Sequence, residues 1–196
     1  YLPDWEENYH SKHGAIQEAK HVFIKNGFDQ FDVSELSILE IGFGTGLNAF
    51  ITFLEAKKAN LKVSYSGVEA YPVSFEEIAQ MNYVQELQAT EFVVEYQKMH
   101  TCEWNFNVNI SNDFCLIKRQ QFFNEISDIE QFDLIYFDAF GYRVQPDLWS
   151  TEIFKIMYKA LKQGGILVTY AARGVVKRSM IEVGFTVEKL EGPPGK

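Results

Sequence analysis

The sequence predicts an α/β fold in which helices cover both faces of an open, mostly parallel sheet. Three observations carry that prediction. Ile38, Leu39 and Ile41 form a short apolar run suited to a buried parallel strand, followed at alternate positions by Gly42, Gly44 and Gly46. Leu47, Phe50, Ile51 and Leu54 then recur at helical spacing, so Leu47 to Ala59 reads as a helix. Two further stretches read as strands, Leu61 to Glu69 and the buried run Phe132 to Asp138, end in acids, with helical stretches between them. Strand, glycine turn and helix open a nucleotide-binding unit, in which ligands sit at the carboxyl ends of the strands.

Composition sets the bounds. The 196 residues suit one domain spanning 1–196, and 46% hydrophobic with 15% aromatic content excludes a disordered chain. No apolar run approaches the ~20 residues of a membrane helix, so no membrane association is expected. The chain begins at Tyr1, so a signal peptide ahead of it would not be seen. Cys102 and Cys115 are the only cysteines, which points to a reducing cytoplasm rather than a disulfide framework. His10 and His13 are close in sequence but lack an evident third ligand, so no metal is expected. The net charge of −9 argues against a non-specific nucleic-acid binder. It is unevenly spread, however. Residues 1–138 hold 9 Lys+Arg against 22 Asp+Glu, a balance of −13, and residues 139–196 hold 9 against 5, a balance of +4. A polyanion is therefore expected, if anywhere, on the C-terminal third.

In chain order, residues 1–36 precede the first core strand and serve as a decoration or a cover of the site. Within them His21 to Ile24 reads as a short strand and Asn26-Gly27 as a turn. Glu69 lies about 20 residues past the glycine turn, where an acid accepts hydrogen bonds from ribose hydroxyls; this suits S-adenosyl-L-methionine (SAM) and NAD alike. A helix over Tyr71–Met81 starts near Pro72, and Asn82 to Lys98 continues irregularly helical. Trp104 to Ile110 alternates apolar and polar residues, Ser111-Asn112-Asp113 is turn chemistry, and Phe114 to Arg119 reads as the return strand of a hairpin. A helix is expected from Phe122 to Ile126. Ala139 to Trp149 is an irregular loop carrying Phe140, Tyr142, Arg143 and Trp149, bulky groups placed for substrate contact. Ser150 caps a helix running to Leu161 and ended by Gly164-Gly165, Ile166 to Tyr170 is a strand, and Arg173 leads a short helix to Val183. Phe185 to Leu190 reads as a last strand.

The glycines alone fit the dinucleotide pattern G-x-G-x-x-G/A at Gly44 to Ala49. Read with Glu40 as E-x-G-x-G-x-G, they resemble motif I of the class I SAM-dependent methyltransferases. The resemblance narrows to the methyltransferase domain of the tRNA 5-methylaminomethyl-2-thiouridine biosynthesis family, MnmC and its stand-alone form MnmD. That domain carries G-F-G-T-G-L-N, matched by Gly42 to Asn48, and D-G-F-A-P-x-x-N-P-x-x-W, whose Asp, Phe, Pro and Trp stand here at Asp138, Phe140, Pro146 and Trp149. An E-x-x-Y-V-F-L segment resembles Glu18 through Ile24, and the family's end resembles Gly184-Phe185 through Lys196. Gly141-Tyr142 departs from the family's Ala-Pro, and Gln120 stands where the family places an acid.

The resemblance implies a Rossmann-like, seven-stranded sheet with a C-terminal antiparallel strand. It implies SAM as cofactor, contacted by Glu40, Gly42, Phe43, Gly44, Gly46, Asn48 and Glu69, with Gln120 near the adenine. It implies transfer of methyl to the aminomethyl group of a modified wobble uridine in tRNA, with Asp138 as the catalytic residue. Phe140 then stacks on the base, and Arg143, Arg173, Lys177 and Arg178 meet phosphates. A flavin-dependent oxidase domain or protein is the implied partner activity. The residues leave open a methyltransferase for a small amine, an aminopropyltransferase and a non-catalytic SAM- or RNA-binding module.

Overall fold

The computed structural model describes residues 14–193. Six strands form one sheet in the order β3-β4-β2-β1-β5-β6, with β1 Glu35–Ile41, β2 Lys62–Glu69, β3 Asn107–Ser111, β4 Phe114–Gln120, β5 Phe132–Phe137 and β6 Leu161–Thr169. All neighbours run parallel except β3 and β4, the predicted hairpin. β1 lies between β2 and β5, so the chain winds outward from it in both directions. The carboxyl ends beside β1 are where such a sheet takes a ligand.

Alternation along the strands divides two cores. Ile38, Leu134 and Tyr136 face one side, packed under helix α1 (residues 14–19), α2 (Leu47–Ala59), α4 (Tyr83–Glu86) and α5 (Val93–Thr101). Leu39, Ile41, Ile135 and Phe137 face the other, under α6 (Thr151–Ala160) and α7 (Gly174–Val183). A sheet buried on both faces explains the continuous apolar runs of β1 and β5.

Several expectations are corrected. The sheet has six strands among the described residues, not seven, and its antiparallel strand is β3 rather than a C-terminal one. Phe185 and Val187 are half-buried, with Phe185 edge-on to Tyr158 at 5.0 Å, but Lys189 and Leu190 are exposed and the backbone of this stretch joins no ladder. His21–Ile24 is not a strand: α1 passes at Lys20–Lys25 into π-helical turns. The consecutive apolar residues Val22, Phe23 and Ile24 are all buried, because the helix lies flat on the sheet with Phe23 5.1 Å from Tyr136. The helix expected from Tyr71 starts later, as α3 (Phe75–Ala79), where Ser74 and Glu77 form a capping box. The expected helix over Phe122 to Ile126 is a single 3₁₀ turn, Phe123–Glu125. Gly164 and Gly165 do not end α6, which stops at Ala160; they form an irregularity in β6, Gly164 at φ +78°. Ser150 caps α6 as expected, accepting from Ile153 N at 3.4 Å. His10, His13 and Pro194 to Lys196 lie outside the described residues.

Candidate active site

A cavity of about 600 Å³ opens at the carboxyl ends of β1, β2 and β5. Its lining brings together Glu40, Gly42, Phe43, Gly44, Asn48, Glu69, Asp138 and Phe140, all expected from the sequence, whereas Gly46, expected with them, is not on the wall. Volumes of 300–1,000 Å³ are those of small-molecule and cofactor sites.

The glycine turn is shaped by backbone. Gly42, Gly44 and Gly46 all have positive φ, +88°, +50° and +75°. A Cβ at Gly42 would lie 2.6 Å from Asp138 O, so this glycine lets the ends of β1 and β5 touch. At Gly46 the obstacle is the buried His100 ring, 2.9 Å from the added carbon. A Cβ at Gly44 meets nothing nearer than Gly42 O at 4.0 Å, so Gly44 leaves space for a ligand. Gly44 N donates to Glu69 Oε2 at 3.2 Å, tying the turn to the end of β2. Phe43 is largely spent on packing: its ring rests where a Cβ on Gly67 would stand, and it meets Trp104 edge-on at 6.1 Å.

Beneath the turn two carboxyl groups share one amide. Asn48 Nδ2 donates to Glu40 Oε1 at 3.0 Å and to Asp138 Oδ2 at 2.9 Å. Tyr65 donates to Glu40 Oε2 at 2.7 Å, so both Glu40 oxygens are taken, and Glu40 is 1% exposed. Burial holds the Glu40 carboxyl well above the usual range, against the opposing bonds from Tyr65 and Asn48. Asp138 keeps partial access to the cavity, and its pKa is pushed up to about 7. Burial is the main cause; the Asn48 bond opposes it and the Glu18 charge adds to it.

The loop after β5 is braced by buried aromatics. Tyr170 donates to Ala139 O at 2.6 Å and Trp149 Nε1 to Phe140 O at 2.8 Å, fixing the two carbonyls that follow Asp138. Trp149, 1% exposed, thus packs down, whereas Phe140 is 67% exposed at the cavity. Arg173 sits 5.5 Å over the Tyr142 ring, linking the loops after β5 and β6. Arg143, Lys177 and Arg178 are exposed and, like Arg173, stay off the cavity wall. Gln120 pairs with Glu69 in the sheet but does not line the cavity; Phe122 and Phe123 do, with Tyr71 edge-on to Phe122 at 5.9 Å. Sequence reasoning missed these aromatics, Tyr65, and the Thr45–Tyr83 hydroxyl pair at 2.8 Å.

The S-adenosyl-L-methionine-dependent methyltransferase family model matches residues 76–196. The chain belongs to this family. Among curated relatives, the tRNA 5-methylaminomethyl-2-thiouridine biosynthesis bifunctional protein MnmC of Delftia acidovorans is 29% identical over 215 residues, covering all of this chain and 32% of that protein. The protein of the same name from Pseudomonas entomophila is 29% identical over 201 residues, covering 96% of this chain and 31% of its own length. The chain thus spans about a third of the length of the curated relatives it matches. The crystal structure of MNMC2 from Aquifex aeolicus superposes with a TM-score of 0.65 at 18% identity, covering 88% of this chain and 55% of that one, which shows the shared fold.

The cofactor of the family fits the cavity. SAM carries a sulfonium and an ammonium, and the ionisable residues lining the cavity among those described are the acids Glu18, Glu40, Glu69 and Asp138, together with Tyr71 and Tyr83. The open space at Gly44 and the acid at the end of β2 suit a nucleoside approaching backbone. Among the described residues no three His, Cys, Asp or Glu are grouped to hold a metal, and no helix is long and apolar enough to cross a membrane.

Proposed function

We propose that this chain methylates the nitrogen of an aminomethyl group on the modified wobble uridine of tRNA, converting 5-aminomethyl-2-thiouridine to 5-methylaminomethyl-2-thiouridine. The observation that carries the reading is a division of charge. The cavity is lined by carboxyl groups, and the cations stand outside it, Arg143 on the loop after β5, Arg173 at the start of α7 and Lys177 and Arg178 within α7. A substrate with a cationic amine on an anionic chain matches both parts. The printed name of the curated relatives supports the same substrate. A tRNA substrate implies work in the cytoplasm, and the oxidase step of the family falls to a separate domain or protein.

Bound SAM supplies an electrophilic methyl group on its sulfonium. Gly42, Gly44 and Glu69 would hold its nucleoside end, with Glu40 and Asn48 as the polar floor, while Gly46 only shapes the turn against His100. An alkylammonium has no lone pair, so it must first lose a proton. Asp138 accepts it. A pKa near 7 suits this task at neutral pH better than an ordinary aspartate, whose pKa is ~3.9. Asn48 fixes the carboxylate plane, and the pinned Ala139 and Phe140 carbonyls fix where the uracil meets the Phe140 ring.

The test is transfer of labelled methyl from SAM to bulk tRNA that carries the aminomethyl group. Label recovered in 5-methylaminomethyl-2-thiouridine is the expected result. Label entering free amines but not tRNA would overturn the tRNA assignment.

A further inference from the structure

Lys118 is a buried cation with no part in the chemistry derived so far. It belongs to β4, which β2 separates from β1, and it is 1% exposed. Among the described residues no carboxylate pairs with it. A charge buried without a counter-ion is unfavourable, and an apolar side chain would fill the same space without that penalty. The ammonium is engaged in another way. Nζ donates to His100 O at 2.7 Å, one of the last carbonyls of α5, which find no partner within the helix and favour a cation. It stands 4.9 Å over the Trp104 ring, and the Cys102 thiol lies beside it.

Both of its main partners lead to the glycine turn. The point where a Cβ on Gly46 would stand is 2.9 Å from the His100 ring and 3.3 Å from the Phe43 ring. Trp104 meets Phe43 edge-on at 6.1 Å, and Phe43 lines the cavity. The His100 ring is buried, and its Nε2 has no hydrogen-bond partner among the described residues. Its place therefore rests on packing, with Tyr96 edge-on at 4.6 Å, and on the carbonyl that Lys118 anchors. Glycines do not hold a shape by themselves, because their backbone is the least restricted. Three successive positive φ angles at alternate positions must be imposed by the surroundings, and the tie from Gly44 N to Glu69 acts on the middle of the turn alone.

We infer that Lys118 is a positioning residue for the cofactor: it fixes the end of α5 and the Trp104 ring, and through them His100 and Phe43 hold the glycine turn in the shape that receives SAM. This rests on the turn being the SAM site. Lys118 does not line the cavity, so it acts only through these neighbours. A turn held ready in this way binds its ligand without first having to be ordered.

The experiment titrates SAM by calorimetry into wild type, Lys118→Met and Trp104→Leu, and follows the thermal unfolding of each without cofactor. Methionine keeps an unbranched stem but has neither charge nor donor. Lys118→Met should bind SAM about tenfold more weakly, yet unfold at the wild-type temperature or above it, because a lone buried charge is gone. In methyl transfer its KM for SAM should rise in the same proportion, with kcat at saturating SAM within about twofold of wild type. Trp104→Leu should bind SAM several-fold more weakly, and the double variant should lose less than the two single losses combined, since they share a route. Unchanged SAM affinity in Lys118→Met would overturn the assignment. So would a loss of affinity that only accompanies a lowered unfolding temperature, which would make the lysine a support of the fold. Where Lys118→Met does not fold, Trp104→Leu decides: a several-fold loss of affinity upholds the assignment, and unchanged affinity overturns it. A wild type that binds no SAM would fail the cofactor reading, and the inference with it.

Discussion

The glycine turn after β1 and the aromatic loop after β5 face one cavity, but the first is held through its backbone angles and N–H groups and the second through carbonyls pinned by aromatic side chains. The turn needs three positive φ angles and a tie to Glu69. The loop needs Trp149 and Tyr170, which donate to consecutive carbonyls from 9 and 31 residues away. Their acids differ in the same way. Glu40 is walled in with both oxygens engaged, and Asp138 retains access to the cavity. One amide, Asn48, joins the two. The difference suggests a division of labour in which β1 supplies a fixed floor and β5 the group that reacts.

If that division holds, the largest effect should come from Asp138. Asp138→Ala should slow methyl transfer by ~10²–10⁴-fold, the usual range for a positioned acid–base group, with SAM affinity changed far less. Comparable losses of affinity and rate in calorimetry and single turnover would erase the distinction between floor and reactive group.

The first two glycines of the turn sharpen it further. Gly44→Val should weaken SAM binding by more than tenfold and leave a folded protein with a modestly lowered melting temperature, because the space it fills is the ligand's. Gly42→Ala should instead cost stability outright, since its Cβ would stand 2.6 Å from Asp138 O. Thermal unfolding with and without cofactor separates the two outcomes.

The basic surface should give an intermediate effect. Reversing Arg173, Lys177 and Arg178 to Glu should weaken tRNA binding several-fold at low salt and flatten its salt dependence by on the order of 0.7 per lost phosphate contact. SAM binding should be untouched. Identical slopes for wild type and variant would make these cations a solvated surface.

The smallest effect is expected from Tyr170→Phe, which keeps the ring against Trp149 and loses only the bond to Ala139 O. A few-fold fall in kcat with little change in SAM affinity would show that the loop is positioned by that bond.

The legibility of these parts follows from their physics. Local pattern was enough for β1, the turn and α2, because an apolar run, alternating glycines and a 3.6-residue period are short-range signals. Glu69 and Asp138 were legible as acids at strand ends. Glu18 was seen only as part of a motif, since its position depends on α1 folding back over the sheet. The misreading of His21 to Ile24 has the same root: a run of buried apolar residues suits a strand or a helix pressed flat on a sheet, and packing decided it. Gln120 was placed by resemblance to the family's acid, but Phe122 and Phe123 line the cavity just after β4. Phe185 to Glu188 has the alternation of a strand without a ladder, and periodicity reports side-chain burial rather than backbone pairing.

The central claim, that Asp138 takes the proton of a substrate amine, is tested most directly by the pH dependence of single-turnover methyl transfer to aminomethylated tRNA. Asp138 acts as a base only when ionised. The wild-type rate should therefore fall about tenfold per pH unit below a midpoint near 7 and level off above it. Asp138→Asn should be slower by ~10²–10⁴-fold and lack that limb. An Asp138→Asn variant with near-wild-type rates and the same limb would contradict the account.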